Sequence, residues 1–383
     1  MALRTIAHTN HDMFRTVTLA VAALFLFSCQ KEDLPDNNGK VTILPVISRS
    51  VETTVQTRAL AGYSEFTVDK QTLSANAVAF NGQTDARVAD QDKQGIFAPL
   101  SSGWRSTVEV ETSYKYNLYT YSRTMPTATT PTFSFGSATN VSLTFNGLNI
   151  ITEIDPLVGV AAAGAILPAN NEPPANYPDL SKGVFSLGVI PAAAQEGGTF
   201  KAFLALDHLY SKATLSFRID ETYNDLRQVR IKDVQVKLDK GTLTGNHKYT
   251  FFDQNLALAS DKTLGGSAIS IDLYDGPTAT AQPENDDDFI ALTTSFREFG
   301  YYYFLPLNPT PEMYLEVTYD IYDKKGKPVR ENQTARNKNL FAAISHNGGS
   351  AAAGNNYKVN VLVSPSYLYQ LSDDDLELGL TVE

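Results

Sequence analysis

One cysteine in 383 residues, Cys29, excludes an intrachain disulfide, so the folded parts of the chain must be held by burial alone. Histidine is scarce as well. Of five, His8 and His11 lie in the first dozen residues, and His208, His247 and His346 are isolated from one another. No HExxH and no His/Cys metal spacing occurs, and neither does a G-x-S-x-G elbow or a phosphate-binding P-loop. No carboxylate spacing favours glycoside hydrolysis over chance. We therefore expect no enzyme, no metal and no cofactor. His208, between Asp207 and Leu209 in a strand-like stretch, reads as structural. The acidic runs 284–288 and 373–375 lack the spaced ligands and the turn glycine of a calcium loop, and read as solvated charge. Long helical periodicity is missing too, so helices should be short and few. Long apolar runs are limited to one, near the N-terminus; nothing later approaches the roughly 20 residues of a spanning helix.

That one run is informative. Phe14-Arg15 precede an apolar stretch from Val17 through Phe27, closed by Ser28-Cys29 and followed at once by Gln30-Lys31-Glu32-Asp33. A short apolar stretch behind a basic residue, closed by small residues, reads as a signal peptide over residues 1–29. Met13 offers an alternative start. Without the leader's Arg4, Arg15 and Asp12, the chain's 31 basic and 42 acidic residues become 29 and 41, a net of −12. Such a surface argues against nucleic acid and anionic membranes as partners.

From residue 41 onward the dominant period is two. Leu315, Val317, Tyr319 and Ile321 alternate with Glu316, Thr318 and Asp320. Tyr357, Val359, Val361 and Val363 do so with Lys358, Asn360 and Leu362, and Leu215, Phe217 and Ile219 with Ser216 and Arg218. These are half-buried strands. Val229 and Ile231 are odd-numbered while Val234, Val236 and Leu238 are even, which predicts a β-bulge near Lys232-Asp233. Residues 155–199, rich in alanine, proline and glycine, read as a loop-rich excursion. An all-β chain of stacked sheets follows, with residues 30–58 as tether and first strand pieces. A domain at 59–210 and another at 211–383 complete the division.

Aromatic residues cluster at Trp104, at Tyr114, Tyr116, Tyr119 and Tyr121, and at Tyr301-Tyr302-Tyr303. Exposed, such rows would stack on sugar rings; buried, they are ordinary strand core. The far end is unusually regular for a terminus: Leu376, Leu378, Leu380 and Val382 alternate with Glu377, Gly379, Thr381 and Glu383. Such a strand wants a sheet, either its own or that of another subunit.

Several of these features together resemble a known family. Leu26-Phe27-Ser28-Cys29 is similar to a bacterial lipobox. Thr57-Arg58-Ala59, Gly103-Trp104, the run from Asp207-His208-Leu209-Tyr210 through Ser216-Phe217, Tyr303-Phe304-Leu305-Pro306 and Asn356-Tyr357-Lys358-Val359-Asn360-Val361 follow in an order that resembles the fimbrillins. These are the type V pilins and fimbria-associated lipoproteins of gut and oral Gram-negative anaerobes. The chain departs from them in its loop Gly348-Gly349-Ser350-Ala351-Ala352-Ala353-Gly354 and in lacking a tryptophan near the C-terminus.

The resemblance implies two tandem transthyretin-like β-sandwich domains and a precursor acylated on Cys29, carried to the outer membrane. It implies a trypsin-like protease that cuts after an arginine: Arg58-Ala59 here, with Arg49-Ser50 as runner-up. The cut would release the first strand, within Val41–Val55. A strand from another fimbrial subunit would fill the vacated groove, with Leu376, Leu378, Leu380 and Val382 as the donor face. The mature form would be a cell-surface fimbrial subunit in adhesion, its ligands those of host or bacterial surfaces. Other readings of the same features are an uncleaved anchor or tip lipoprotein, and a surface glycan-binding lipoprotein.

Overall fold

The computed structural model describes residues 40–47, 71–161 apart from 82, 85, 102 and 138–139, 199–275 apart from 254, 290–307, 311–337, 340, 351–365 and 376–382. Within them the chain is almost entirely β, as the period of two predicts. One six-residue α-helix, α1 (Glu221–Leu226), interrupts it, its N-terminus capped by the Asp220 carboxylate, which accepts from the Tyr223 N–H.

Four sheets form. The largest has eight strands, ordered β4 (Gly103–Ser106), β3 (Lys93–Leu100), β2 (Leu73–Asn81), β6 (Tyr114–Ser122), β10 (Leu157–Ala161), β11 (Thr199–His208), β1 (Lys40–Ile47) and β5 (Glu109–Glu111). A second runs β23 (Leu376–Val382), β22 (Asn356–Pro365), β12 (Ser211–Ile219), β19 (Arg297–Phe304) and β9 (Ile151–Thr152). The third is β17 (Ile269–Asp275), β13 (Arg227–Leu238), β20 (Tyr314–Asp323) and β21 (Pro328–Asn337), with β18 (Ile290–Ala291) beside β13. The fourth is β15 (Asn255–Ala257), β14 (Thr242–Thr250), β8 (Asn140–Asn149) and β7 (Thr132–Ser137), with β16 (Leu264–Gly265) beside β14. Most pairs are antiparallel; β1 with β11 and β12 with β22 are parallel.

Alternation does what it should. Leu215, Phe217 and Ile219 of β12, Leu315, Val317, Tyr319 and Ile321 of β20, and Val359, Val361 and Val363 of β22 are all buried in one large core. Each such side chain contributes about 1.5–3 kcal/mol of burial against the entropy of ordering the chain. The parity switch in β13 is a bulge: register against β20 shifts between Ile231 and Asp233. A smaller core lies under the eight-stranded sheet, built from Val41, Ile43, Phe97, Val108, Val110, Leu118, Leu204 and their neighbours.

One expectation needs revision. Within the presumed excursion 155–199, Leu157–Ala161 is an inner strand paired on both sides, with Leu157, Val158 and Val160 buried. Both of its faces are covered, so it carries no polar alternation for a reader to find. Residue 210 does fall at the turn between β11 and β12, but β8 from before it pairs with β14 from after it, and β9 pairs with β19. Hydrogen bonding therefore crosses the expected boundary.

The outward face of the third sheet is charged. Glu316 accepts from both Lys237 and Arg336. Burial alone would raise its carboxyl, but these two cations outweigh it and hold the pKa below the ordinary 4.5. A depressed carboxyl pKa stabilises the fold above the unfolded value, and that contribution disappears as pH falls through the folded one. We expect wild type to exceed Glu316→Gln in urea stability near neutral pH, and the gap to narrow as the solution is acidified and the carboxylate is protonated. A gap that does not change with pH would show that the pair is not felt.

Candidate assembly surfaces at the terminal strands

Val41, Ile43 and Pro45 of β1 are buried, alternating with the half-buried Thr42 and Leu44. This pattern seats the strand with one face on the smaller core. Its two edges are occupied by different partners. On one side β11 runs parallel, from Thr42 opposite Thr199 to Ile47 opposite Leu204. On the other, β5 runs antiparallel, with Lys40, Thr42 and Val41 opposite Glu111, Glu109 and Val110. The Ile43 N–H donates to the Val108 carbonyl at 2.9 Å, extending that side by one bond.

Among the described residues no direct pairing joins β11 to β5, and β1 alone bridges them. The space it fills is thus a slot one strand wide. Its walls are backbone groups of β11 and of Val108–Glu111, and Val108, Val110, Phe97 and Leu204 belong to the same apolar cluster as Val41 and Ile43. The walls were not legible beforehand. β5 is only three residues long, and β11 lies more than 150 residues from β1 in sequence.

At the other end, β23 is an edge strand, antiparallel on β22. Its register sets Leu378, Leu380 and Val382 opposite Val363, Val361 and Val359, three residues buried in the large core. Leu376 stands opposite Pro365. In this arrangement the strand joins its own chain's sheet. Cys29, Arg49, Ser50, Arg58 and Ala59 lie outside the described residues, as do Met13, His346 and the acidic runs 284–288 and 373–375.

The aromatic clusters are largely core. Tyr116, Tyr119, Tyr121, Tyr302 and Tyr303 are buried, and burial pushes the Tyr119 phenol up to about 12. Trp104 is half-buried against the smaller core with Tyr114. Tyr301 is exposed, but the Lys212 ammonium sits 3.9 Å from its ring centroid, on the face a sugar would need. This arrangement offers no aromatic row for stacking among the described residues.

His208 is buried, with Nδ1 2.7 Å from the Asp155 carboxylate. The contact ties the end of β11 to the turn before β10. His247 is fully buried: its Nδ1 accepts from the Ala259 N–H and its Nε2 donates to the Leu243 carbonyl, both at 3.1 Å. A backbone donor on one nitrogen and a carbonyl on the other fix one neutral tautomer, in a structural role. Among the described residues no group of three His, Cys, Asp or Glu could hold a metal ion.

No protein-family model and no curated protein matches the chain. Solved structures do. A fimbrial protein from Bacteroides vulgatus is 14% identical, with a TM-score of 0.43 over 89% of this chain and 98% of that one. The fimbrial anchor protein Mfa2 from Porphyromonas gingivalis is 11% identical, with a TM-score of 0.30 over 89% of this chain and 96% of that one. The likeness to these fimbrial proteins runs along nearly the whole length at low identity.

Proposed function

We propose that this chain is a structural fimbrial subunit in cell adhesion, exported as a lipoprotein precursor on Cys29 and assembled by strand exchange. The observation that carries the reading is the seat of β1: a single strand bridging two strands that do not pair with each other. Removing it would leave two rows of unpaired backbone groups and an uncovered apolar floor, a state that strongly favours capture of another strand. The Arg58-Ala59 bond lies downstream of β1, so one cut would free Cys29 and β1 together. The incoming strand is Leu376–Val382 of a second copy or of another fimbrial subunit. It has seven residues against the eight of β1, and a matching apolar residue at every second position.

In this role the protein meets the outer membrane through acylated Cys29, then a trypsin-like protease, then its neighbours in the fimbrium. An arginine-specific protease should convert the full chain to a product beginning at Ala59 that forms detergent-resistant ladders. Arg58→Ala should block both. Cutting at Arg49-Ser50 would shift the site but keep the mechanism; clipped protein that stays monomeric would refute strand exchange.

A further inference from the structure

Two bulges converge on one buried carboxylate in the third sheet. On β13, Ile231 pairs with Tyr319 and Asp233 with Thr318, so Lys232 is the extra residue. On β21, Arg330 pairs with Ile321 and Gln333 with Tyr319, so Glu331 and Asn332 stand against Asp320 alone. Bulges re-aim side chains, and here both flanks of β20 turn toward Asp320. The Lys232 ammonium lies 2.6 Å from the Asn332 carboxamide oxygen and 3.6 Å from the Asp320 carboxylate. The other Asp320 oxygen accepts the Asn332 backbone N–H at 2.7 Å. Among the described residues Asn332 is the one non-glycine with a positive φ, +55°. The side chains of Lys232 and Asp320 are 11% and 4% exposed, whereas Asn332 is exposed.

An amine, a carboxamide and a carboxyl group held this way are the reactants and the acid–base group of an amide exchange. We propose that Lys232 and Asn332 form an intramolecular amide cross-link, with Asp320 carrying the protons. Lys232 gives a proton to the Asp320 carboxylate, and its freed Nζ lone pair attacks the Asn332 Cγ. The N–C bond forms as the carbonyl π pair moves to Oδ1. Asp320 passes its proton to the amide nitrogen and takes up the surplus proton left on Nζ. The carbonyl re-forms, the Cγ–Nδ2 bond breaks, and ammonia leaves, collecting that proton as ammonium. No oxidant or other co-reactant is needed. The exposed side of Asn332 gives ammonia its exit to water. The product staples β13 to the edge strand β21 across β20, a bond between residues 100 apart in sequence. This inference is independent of the assembly mechanism above.

Peptide mapping of the purified full chain by mass spectrometry tests it. The expected result is one branched peptide joining Lys232 to Asn332, lighter by one ammonia (about 17 Da) than the two parts. Asp320→Ala, or Asp320→Asn if the first folds poorly, should restore the separate peptides, as should Lys232→Arg. Recovery of wild-type Lys232 and Asn332 in separate, unmodified peptides after prolonged incubation of folded protein would overturn the proposal. So would Asn332 heavier by about 1 Da, since water and not the amine would then have reacted.

Discussion

Ile43→Asp is expected to open the slot without any protease. Ile43 is fully buried in β1, and its N–H is already committed to Val108. A carboxylate there would lie in the apolar floor with no cation among the residues of that cluster. Burying it unpaired costs several kcal/mol, set against the burial that holds β1 in place. The strand should leave while the rest of the chain keeps its fold, because the large core contains no β1 residue. The uncut variant should then bind a synthetic peptide of residues 376–383, which uncut wild type should not. Thr42→Asp, half-buried and on the alternate face, serves as the control and should behave as wild type. Global unfolding of Ile43→Asp, or an intact fold that refuses the peptide, would contradict the account of the slot.

Deleting residues 376–383 should abolish ladders while leaving a folded monomer. β23 is bonded to β22 alone, at the edge of its sheet, so removing it strips one ladder and no inner strand. The ten residues 366–375 could span at most about 35 Å when extended, which bounds how far the strand can reach from β22. Clipped protein lacking the strand should still accept a donor from wild type and so terminate chains. Leu380→Asp should reproduce the loss of ladders, with the expected drop in polymer at about a hundredfold or more. Ladders formed by the deletion protein would show that the donor lies elsewhere.

What could be read from the sequence follows from how each strand is buried. β12, β20 and β22 have one covered face, and their alternation announced them. The bulge in β13 was visible because a parity switch is local. β10 was hidden because both its faces are covered, leaving Leu157-Val158-Gly159-Val160 without a polar beat. The slot was hidden for a different reason. Val41 and Ile43 suggested a strand, but its parallel partner is β11, and pairing over such a separation leaves no trace in the sequence near either strand. The second wall, Glu109-Val110-Glu111, is too short to stand out. The triad of Lys232, Asp320 and Asn332 likewise depends on two register shifts meeting across three strands. Cys29 and Arg58 lie outside the described residues, and the roles proposed for them rest on the sequence and its resemblance to the fimbrillins.

In the proposed mechanism Cys29 holds the precursor only until the first strand is removed. The N-terminus of the protein recovered from the cell surface tests it most directly, by mass spectrometry of the terminal peptide. The account predicts Ala59 as the first residue in assembled material, with acylated Cys29 confined to unassembled precursor. Acyl-Cys29 at the start of every surface molecule would contradict it, and would leave β1 as a permanent strand of an anchored protein.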